Sequence, residues 1–358
     1  MRLTRTIHPV GQGGFYSETI QDNGNETTII YDCGGKSKAF MASYLDKWLY
    51  GRPRIDAVFI SHLHDDHVNG LEHLLTHTNV RYLFLPQMTP DMLCEAIVYN
   101  SINGRGPSGR INEFIIELWR RSESNQRTRI VQINPPQGES GEFELTGDGS
   151  IGSMIESGTR LLVGKRWMYI PYNPPIDQEN DYMGGFYQFF KEMIKVEAFY
   201  LEDLPGIVRK IGTKKCREIY EKYFGPDHNA YSMTVFSGNR RWPEWIRVQE
   251  PWVYRAFETP NCLYTGDFDA NRLFNKLRDF YSPFWDDISS IQVPHHGSDN
   301  NYHPSLYGHA VRGFVSVGEQ NRYHHPSLQT IMDIRDQGCC PLLVTERAST
   351  QREYQYII

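Results

Sequence analysis

Short apolar segments, each ended by turn residues, dominate the first quarter of the chain. The turn residues Asp22, Asn23, Gly24 and Asn25 separate two of these segments and predict a hairpin. Elsewhere the apolar residues recur with helical spacing. The pattern predicts strands at 3–10, 15–21, 27–31, 55–60 and 81–85, and helices at 38–48 and 70–76. Because strands and helices alternate, this part of the chain favours a layered α/β body.

The middle of the chain has a different residue pattern. Residues 88–125 read as mainly helical, interrupted by a Gly-rich loop whose Arg105 and Arg110 either hold a phosphate or belong to a surface loop. Short strands return in 127–167. The segment 172–226 has a Pro-rich entry, an aromatic cluster and a basic helix at 209–223, and we interpret it as a mainly helical insertion within a single domain of residues 1–358. Further strands are predicted at 232–237, 253–257, 262–265, 291–293, 313–317 and 342–345.

Composition narrows the class of protein. The chain of 358 residues is 39% hydrophobic and 22% charged, as expected for a soluble globular protein. It shows neither a secretion signal nor an apolar run near the roughly 20 residues that cross a bilayer, so we expect a cytoplasmic protein without a membrane partner. Its six cysteines have no CxxC spacing, which argues against a disulfide framework and a thiolate zinc site. The net charge of −6 argues against a broad nucleic-acid surface but leaves a locally basic cleft open.

Three histidines and two aspartates crowd into the six residues that follow the predicted strand 55–60. Side chains alternate along an extended chain, so His62 and His64 point to one side and can share a metal ion. Asp66 and His67 follow at the turn and can reach a second ion. Imidazoles and carboxylates are ligands of borderline divalent cations, and such crowding is costly without an ion. The alternative, a solvated polar turn, explains the density of histidines less well.

Later segments supply similar side chains at predicted strand ends. Asp267 follows Thr265 and Gly266, and its two oxygens can bridge two ions about 3.5 to 4 Å apart. In the motif Pro294-His295-His296-Gly297-Ser298, one imidazole should complete the second metal site and the other can contact substrate. These motifs together predict a dinuclear centre.

The third ligand of the first metal is left open. Either His228 or Asn229 can serve it, since both precede the predicted strand 232–237, and Asn229 can also contact substrate. A further polar cluster spans 321–326, where Arg322 or His325 faces the substrate oxygens or the residues cap a helix. Asp32 either hydrogen-bonds to a ligand histidine or caps a turn.

The order of these motifs resembles the metallo-β-lactamase fold superfamily. Val10-Gly11-Gln12-Gly13 and Tyr31-Asp32-Cys33-Gly34 precede the histidine motif, and the other segments follow in the same order as in that family. Within that superfamily the motifs resemble the branch of choline-phosphate esterases and of the hydrolase domain of the DNA-uptake protein ComEC. The resemblance implies a four-layer αββα sandwich with a dinuclear site at one edge. It also implies phosphodiester hydrolysis. ComEC-type domains accompany a membrane channel that has no counterpart here, so DNA uptake is not implied.

The sequence therefore predicts a two-metal hydrolase, most simply a phosphodiesterase or nuclease that acts on nucleic acid or a nucleotide. Zinc is the default ion and manganese an alternative. Asp65 can orient the attacking water or accept its proton, with Asp267 and His325 as the other catalytic candidates. Ser298, Arg322 and Asn229 are candidates for substrate contacts. An ester, thioester or lactone hydrolase and a non-catalytic regulatory module remain alternatives, and homo-oligomer or partner-protein binding is left open.

Overall fold

The computed structural model describes residues 1–103, 109–122, 127–175, 185–224, 231–240, 259–321 and 324–358. Within these residues, sixteen strands form two eight-stranded sheets. In chain order the strands are β1 (Arg2–Ile7), β2 (Phe15–Asp22), β3 (Asn25–Cys33), β4 (Arg54–Phe59), β5 (Asn79–Pro86), β6 (Arg129–Asn134), β7 (Glu142–Glu144), β8 (Met154–Glu156), β9 (Arg160–Val163), β10 (Trp167–Tyr172), β11 (Thr234–Asn239), β12 (Cys262–Tyr264), β13 (Ser290–Gln292), β14 (Arg312–Ser316), β15 (Cys340–Val344) and β16 (Arg352–Ile357).

Helices cover the sheets. They are α1 (Lys38–Trp48), α2 (Asp65–Val68), α3 (Leu71–His77), α4 (Pro90–Asn103), α5 (Gly109–Ser122), α6 (Phe186–Met193), α7 (Leu204–Ile211), α8 (Thr213–Phe224), α9 (Ala270–Phe280) and α10 (Leu328–Asp336). Helix α1 begins where the Ser37 hydroxyl accepts a hydrogen bond from the Phe40 amide at 3.2 Å, a normal N-cap. No helix in the described part of the chain has both the length and the apolar character needed to cross a bilayer.

The sheets mix parallel and antiparallel pairs. The first sheet has the order β16-β1-β2-β3-β4-β5-β6-β8 and the second the order β15-β14-β13-β12-β11-β10-β9-β7. Strands β3 to β6 pair in parallel in the first sheet, as do β12 to β15 in the second. Parallel neighbours place their carboxyl ends at the same edge of a sheet. This is where the candidate residues lie.

The four-layer αββα sandwich expected from the resemblance is confirmed. One apolar core lies between the sheets and joins side chains such as Phe59 and Tyr169. A second core packs α1 and α3 on the outer face of the first sheet, and a third packs α9 and α10 on the second sheet. The layers therefore bury both faces of both sheets.

Helices α4 to α8 form an additional helical layer beside the first sheet, and Phe186 and Phe190 belong to its core. The aromatic cluster is thus local core. The predicted continuous helix at 209–223 was wrong, because α7 ends at Ile211 and α8 begins at Thr213, with Gly212 between them at φ +81°. The predicted strand 253–257 lies outside the described residues. Strand β16 was missed, although Tyr354 and Tyr356 alternate with polar residues there.

Candidate metal centre

The two sheets meet at an edge where several strands end. In the first sheet, Asp32 is the second-last residue of β3, and β4 leads into the turn at 61–67. In the second, β12 leads into Asp267 and β13 into His295 and His296. Because these strands run parallel to their neighbours, residues far apart in sequence reach one place.

The centre of the cluster is the Asp267 carboxylate. Its Oδ1 lies 3.2 Å from His67 Nε2 and 3.8 Å from His296 Nε2, and its Oδ2 lies 3.7 Å from His62 Nε2. Asp66 Oδ2 lies 3.5 Å from His296 Nε2 on the other side. Two groups of three result, His62 with His67 and Asp267, and Asp66 with His67 and His296, each with its ligand atoms within 4.8 Å of one another. The structure thus brings together residues predicted from separate motifs.

Four buried polar atoms of this cluster have no hydrogen-bond partner among the described residues. They are the Nε2 atoms of His62, His67 and His296, and Oδ1 of Asp267. A buried polar atom without a partner costs about 1 to 3 kcal/mol, so four at one point indicate a missing ligand. Imidazole nitrogens and a carboxylate suit borderline divalent ions. The donor set therefore fits a pair of such ions.

Supporting hydrogen bonds orient the rings of the first sheet. Asp32 Oδ2 lies 2.8 Å from His67 Nδ1, and Asp32 Oδ1 accepts from the Ser61 amide at 2.7 Å. His62 Nδ1 lies 2.9 Å from Ser61 Oγ and 3.1 Å from Ser232 Oγ. The two roles considered for Asp32 are thus both filled. In each ring the Nδ1 atom is engaged, which leaves Nε2 for an ion.

The second sheet uses backbone conformation and a carbonyl for the same purpose. His295 and His296 adopt left-handed conformations, with φ of 46° and 55°. His296 Nδ1 donates to the Ser316 carbonyl at 2.8 Å, while His295 Nδ1 lies 2.7 Å from Asn301 Oδ1. Non-glycine residues at positive φ are uncommon and cluster at functional sites. The turn brings both rings to the Asp267 carboxylate, with His295 Nε2 3.6 Å from Oδ2 and His296 Nε2 3.8 Å from Oδ1.

Close backbone approach also requires glycine at the edge. Gly266 has φ +56°, and a Cβ there would lie 2.5 Å from Ser61 Cβ. A Cβ on Gly34 would overlap the Asp66 carbonyl. Glycine at both positions lets the chain segments that carry the ligands touch.

The charges of the cluster neutralise one another. Burial, reinforced by the charge of His67, lowers the pKa of His62 well below its usual value. Burial opposes ionisation of Asp267, but His295 and His67 hold the pKa of that carboxyl well below its usual range. Burial likewise opposes protonation of His67, yet Asp267 and Asp32 raise its pKa. The ionised Asp267 carboxylate is the form that binds a divalent cation, and an ion at this point would displace the additional proton of His67.

His64 lies beside the cluster in a different setting. Its ring centre is 4.6 Å from that of His62, and its Nε2 lies 3.1 Å from Glu95 Oε1. Neither of the two groups of three contains His64, although the sequence predicted that it shares an ion with His62. The other candidates for the first metal, His228 and Asn229, lie outside the described residues.

A cleft opens at the cluster. Asp65, Asp66, Asp267 and His295 line it together with Gln12, Gly35, Lys36, Tyr99, Asn100 and Asn103. The Asp65 amide donates to Asn100 Oδ1 at 2.8 Å, which holds the start of α2 against α4.

The other residues predicted to contact substrate do not line the cleft or lie outside the described residues. The His325 ring centre lies 5.4 Å from that of His295, and burial lowers the pKa of His325 to about 4. Ser298 is buried, and its hydroxyl accepts from the Asn300 amide at 3.3 Å instead of lining the cleft. Arg322 and Arg105 lie outside the described residues.

Sequence reasoning missed several supporting residues. Glu95 and Tyr99 sit on α4, four residues apart, and no local pattern distinguishes them from other helix residues. Ser232 and Asn301 follow predicted ligand segments closely, so their short distance in sequence was the available signal.

The model of the metallo-beta-lactamase superfamily matches residues 20–83, which include strands β3 and β4 and the 62–67 motif. No curated protein sequence matches the chain.

Several solved structures are similar over most of their length. Rm3 metallo-beta-lactamase is 10% identical with a TM-score of 0.30, covering 81% of this chain and 74% of that one. MEM-A1, a subclass B3 enzyme from a soil metagenome library, is 11% identical with a TM-score of 0.32, covering 82% and 78%. SMB-1 bound to 2-mercaptoethanesulfonate is 9% identical with a TM-score of 0.31, covering 82% and 78%. With its two sheets flanked by helices and its matched segment, this chain has the metallo-β-lactamase fold and carries the superfamily's sequence pattern over residues 20–83.

Proposed function

We propose that this protein is a dinuclear metal-dependent hydrolase that cleaves phosphodiester bonds in nucleic acid or a nucleotide. One observation carries the metal dependence: three buried imidazole nitrogens and a carboxylate oxygen converge without hydrogen-bond partners among the described residues. Satisfying four such atoms with protein groups would need donors and acceptors that the described turns around them do not supply. A metal ion satisfies them together.

The residues divide into two ligand sets. His62, His64 and one residue of the 225–230 segment, His228 or Asn229, would hold the first ion, and Asp66, His67 and His296 the second. Asp267 lies between both sets and would be shared. Two divalent ions, zinc by default or manganese, would supply an activated water and stabilise negative charge on the substrate.

The protein groups around the ligands have separate roles. Asp65 lines the cleft beside Asp66 and is placed to orient water or accept its proton. His295 is 21% exposed and also lines the cleft, so it is the imidazole of the pair that faces substrate, whereas His296 is buried against Asp66. His325, kept neutral by burial at ordinary pH, adds a hydrogen-bonding group behind His295.

The side chains that line the cleft favour a polar substrate. No aliphatic side chain occurs among the described residues that line it, and Gln12, Asn100 and Asn103 present amides. Lys36 contributes an ammonium group, which pairs with Glu346 at 2.9 Å. The acyl group of a typical ester or lactone would gain little burial there. A phosphodiester flanked by sugars or bases matches the hydrogen-bonding groups of the cleft.

The test is a substrate panel with metal-loaded protein. We expect cleavage of bis-p-nitrophenyl phosphate and of at least one class among single-stranded DNA, double-stranded DNA, RNA and cyclic nucleotides. Asp267→Ala and His296→Ala should each lose more than the roughly 100-fold typical of a lost supporting hydrogen bond. His309→Ala is the control, because that histidine is exposed and contacts Asp286, which is not a candidate ligand.

Two outcomes would refute the proposal. Strong lactone or thioester turnover without phosphodiester cleavage would assign the site to another hydrolase class. Protein purified without chelator that contains no bound ion, and takes up none, would favour a non-catalytic module.

A further inference from the structure

A buried carboxylate contacts the Nε2 edge of the His64 ring. Glu95 is 3% exposed on α4. Its Oε1 and Oε2 lie 3.1 Å and 3.3 Å from His64 Nε2. The Tyr220 hydroxyl on α8 donates to Glu95 Oε1 at 2.8 Å, and burial raises the pKa of Tyr220, which keeps it a donor. The three side chains form one hydrogen-bonded chain from α8 to the ligand motif.

The same helices hold the plane of the His64 ring. Tyr99 stacks on His64 with ring centres 3.6 Å apart and planes 7° from parallel. Tyr99 and Tyr220 are also neighbours, with ring centres 5.8 Å apart. His64 is thus fixed both in its plane and along its edge by residues of α4 and α8.

This support differs from that of the other candidate ligands. Asp32 beside β3 orients His67, and the Ser316 carbonyl of β14 orients His296. Those two rings are therefore positioned by the sheets. His64 is positioned by the helical layer, part of which falls in the 172–226 segment.

We propose that Glu95, oriented by Tyr220, is a positioning residue that keeps the proton of neutral His64 on Nε2 and so presents Nδ1 to the first metal ion. The inference rests on the proposed metal dependence of the site. A neutral imidazole carries one N–H, and a carboxylate at Nε2 can only accept it. Without Glu95, His64 would populate both tautomers and rotate more freely, and binding would have to select the productive form.

One consequence concerns the helical layer itself. Since α8 carries Tyr220, the 172–226 segment contributes to metal loading as well as covering the body. Packing changes in α8 should therefore alter the first ion site while leaving the second unchanged.

The experiment measures metal binding and the His64 tautomer, both without substrate. Isothermal titration with Co²⁺ and Zn²⁺ gives the two affinities, and long-range ¹H–¹⁵N spectra of metal-free protein give the protonated nitrogen of His64. We expect Glu95→Leu to weaken one ion by about 10- to 100-fold and leave the other unchanged. Glu95→Gln, which keeps an acceptor oxygen, and Tyr220→Phe should show smaller losses at the same ion.

Two controls separate positioning from general damage to the helical layer. Tyr187→Phe removes a hydroxyl that donates to the Phe199 carbonyl at 2.8 Å in the same layer, and should change neither affinity nor tautomer. In a His64→Ala background, Glu95→Leu should have no further effect on metal binding, because coupled residues are not additive.

The proposal is overturned by any of three results. The first is that both metal affinities are unchanged in folded Glu95→Leu and Glu95→Gln. The second is that the wild-type protein carries the proton of His64 on Nδ1. The third is that Glu95→Leu removes an ion that His64→Ala retains, which would make Glu95 itself the ligand. Normal metal binding with this pattern but no phosphodiester cleavage would overturn the proposed function alone.

Discussion

Replacement of Asp32 by Asn tests how the first sheet sets the metal site. Asp32 is fully buried and accepts three hydrogen bonds, from the Ser61 amide at 2.7 Å, the Ser61 hydroxyl at 2.9 Å and His67 Nδ1 at 2.8 Å. Its φ of 57° is left-handed, a conformation that Asn adopts as readily as Asp. The substitution therefore preserves shape and backbone and changes only charge and one acceptor.

The expected effect follows from the proton on His67. The Asn oxygen can retain the bond from the Ser61 amide, which places its NH₂ group toward His67 Nδ1. That arrangement favours the tautomer with hydrogen on Nε2, the nitrogen 3.2 Å from Asp267 Oδ1 that an ion needs. Loss of a supporting carboxylate of this kind costs about 10- to 100-fold in metal affinity, or about 1.4 to 2.7 kcal/mol.

The assay is competition titration of the second ion against a chelator of known affinity. Asp46→Asn is the matched control, since Asp46 also contacts a histidine, His73 Nε2 at 2.7 Å, but at the surface. We expect a weaker second ion in Asp32→Asn and wild-type binding in Asp46→Asn. Wild-type affinity for both ions in folded Asp32→Asn would refute the tautomer argument.

Two further predictions concern stability of the metal-free protein. Burial lowers the pKa of His8 to about 3, so below pH 6.5 the unfolded chain takes up a proton that the folded chain refuses. In denaturation experiments the free energy of unfolding should decrease as the pH is lowered below 6.5, and the loss due to His8 should reach about 2 kcal/mol at pH 5. This loss should be absent in His8→Gln and present in the exposed control His309→Gln. In urea titrations, Gly266→Ala should lower the free energy of unfolding by about 1 to 3 kcal/mol more than Gly24→Ala does. The reason is that a Cβ at position 266 would overlap Ser61, whereas a Cβ at position 24 would contact nothing among the described residues. Equal losses for the two glycines, or an unchanged pH slope in His8→Gln, would contradict these arguments.

The central residues of the site could be predicted from the sequence because they follow parallel strands. The 62–67 motif is local, so its crowding is visible without a fold. Asp267 and His296 are distant in sequence, but each follows an apolar strand, and strand ends converge at one edge. Helix α1 was predicted at its observed bounds for a similar reason, since apolar spacing and a cap are local signals.

Other features depended on tertiary packing that no local pattern records. Glu95 reaches His64 only because α4 crosses behind the motif, and Tyr220 lies 125 residues further along the chain. The break between α7 and α8 depends on the left-handed Gly212, whereas an isolated glycine in a helical pattern is compatible with continuity. Strand β16 needs β1 as its partner, some 350 residues away in sequence.

The geometry of the metal centre also depends on how the two sheets are aligned, since each supplies part of the ligand set. Apolar contact between sheets is non-directional and by itself tolerates sliding. Glu18 of β2, paired with Arg5 at 2.7 Å, accepts hydrogen bonds from Tyr169, Tyr264 and Ser237, all in the second sheet. Burial opposes ionisation of Glu18, but Arg5 and these donors lower its pKa, so the carboxylate stays charged and its bonds stay strong. Tyr264 is the last residue of β12, three residues before Asp267, and the same bonds that fix the sheets therefore fix the position of the Asp267 carboxylate.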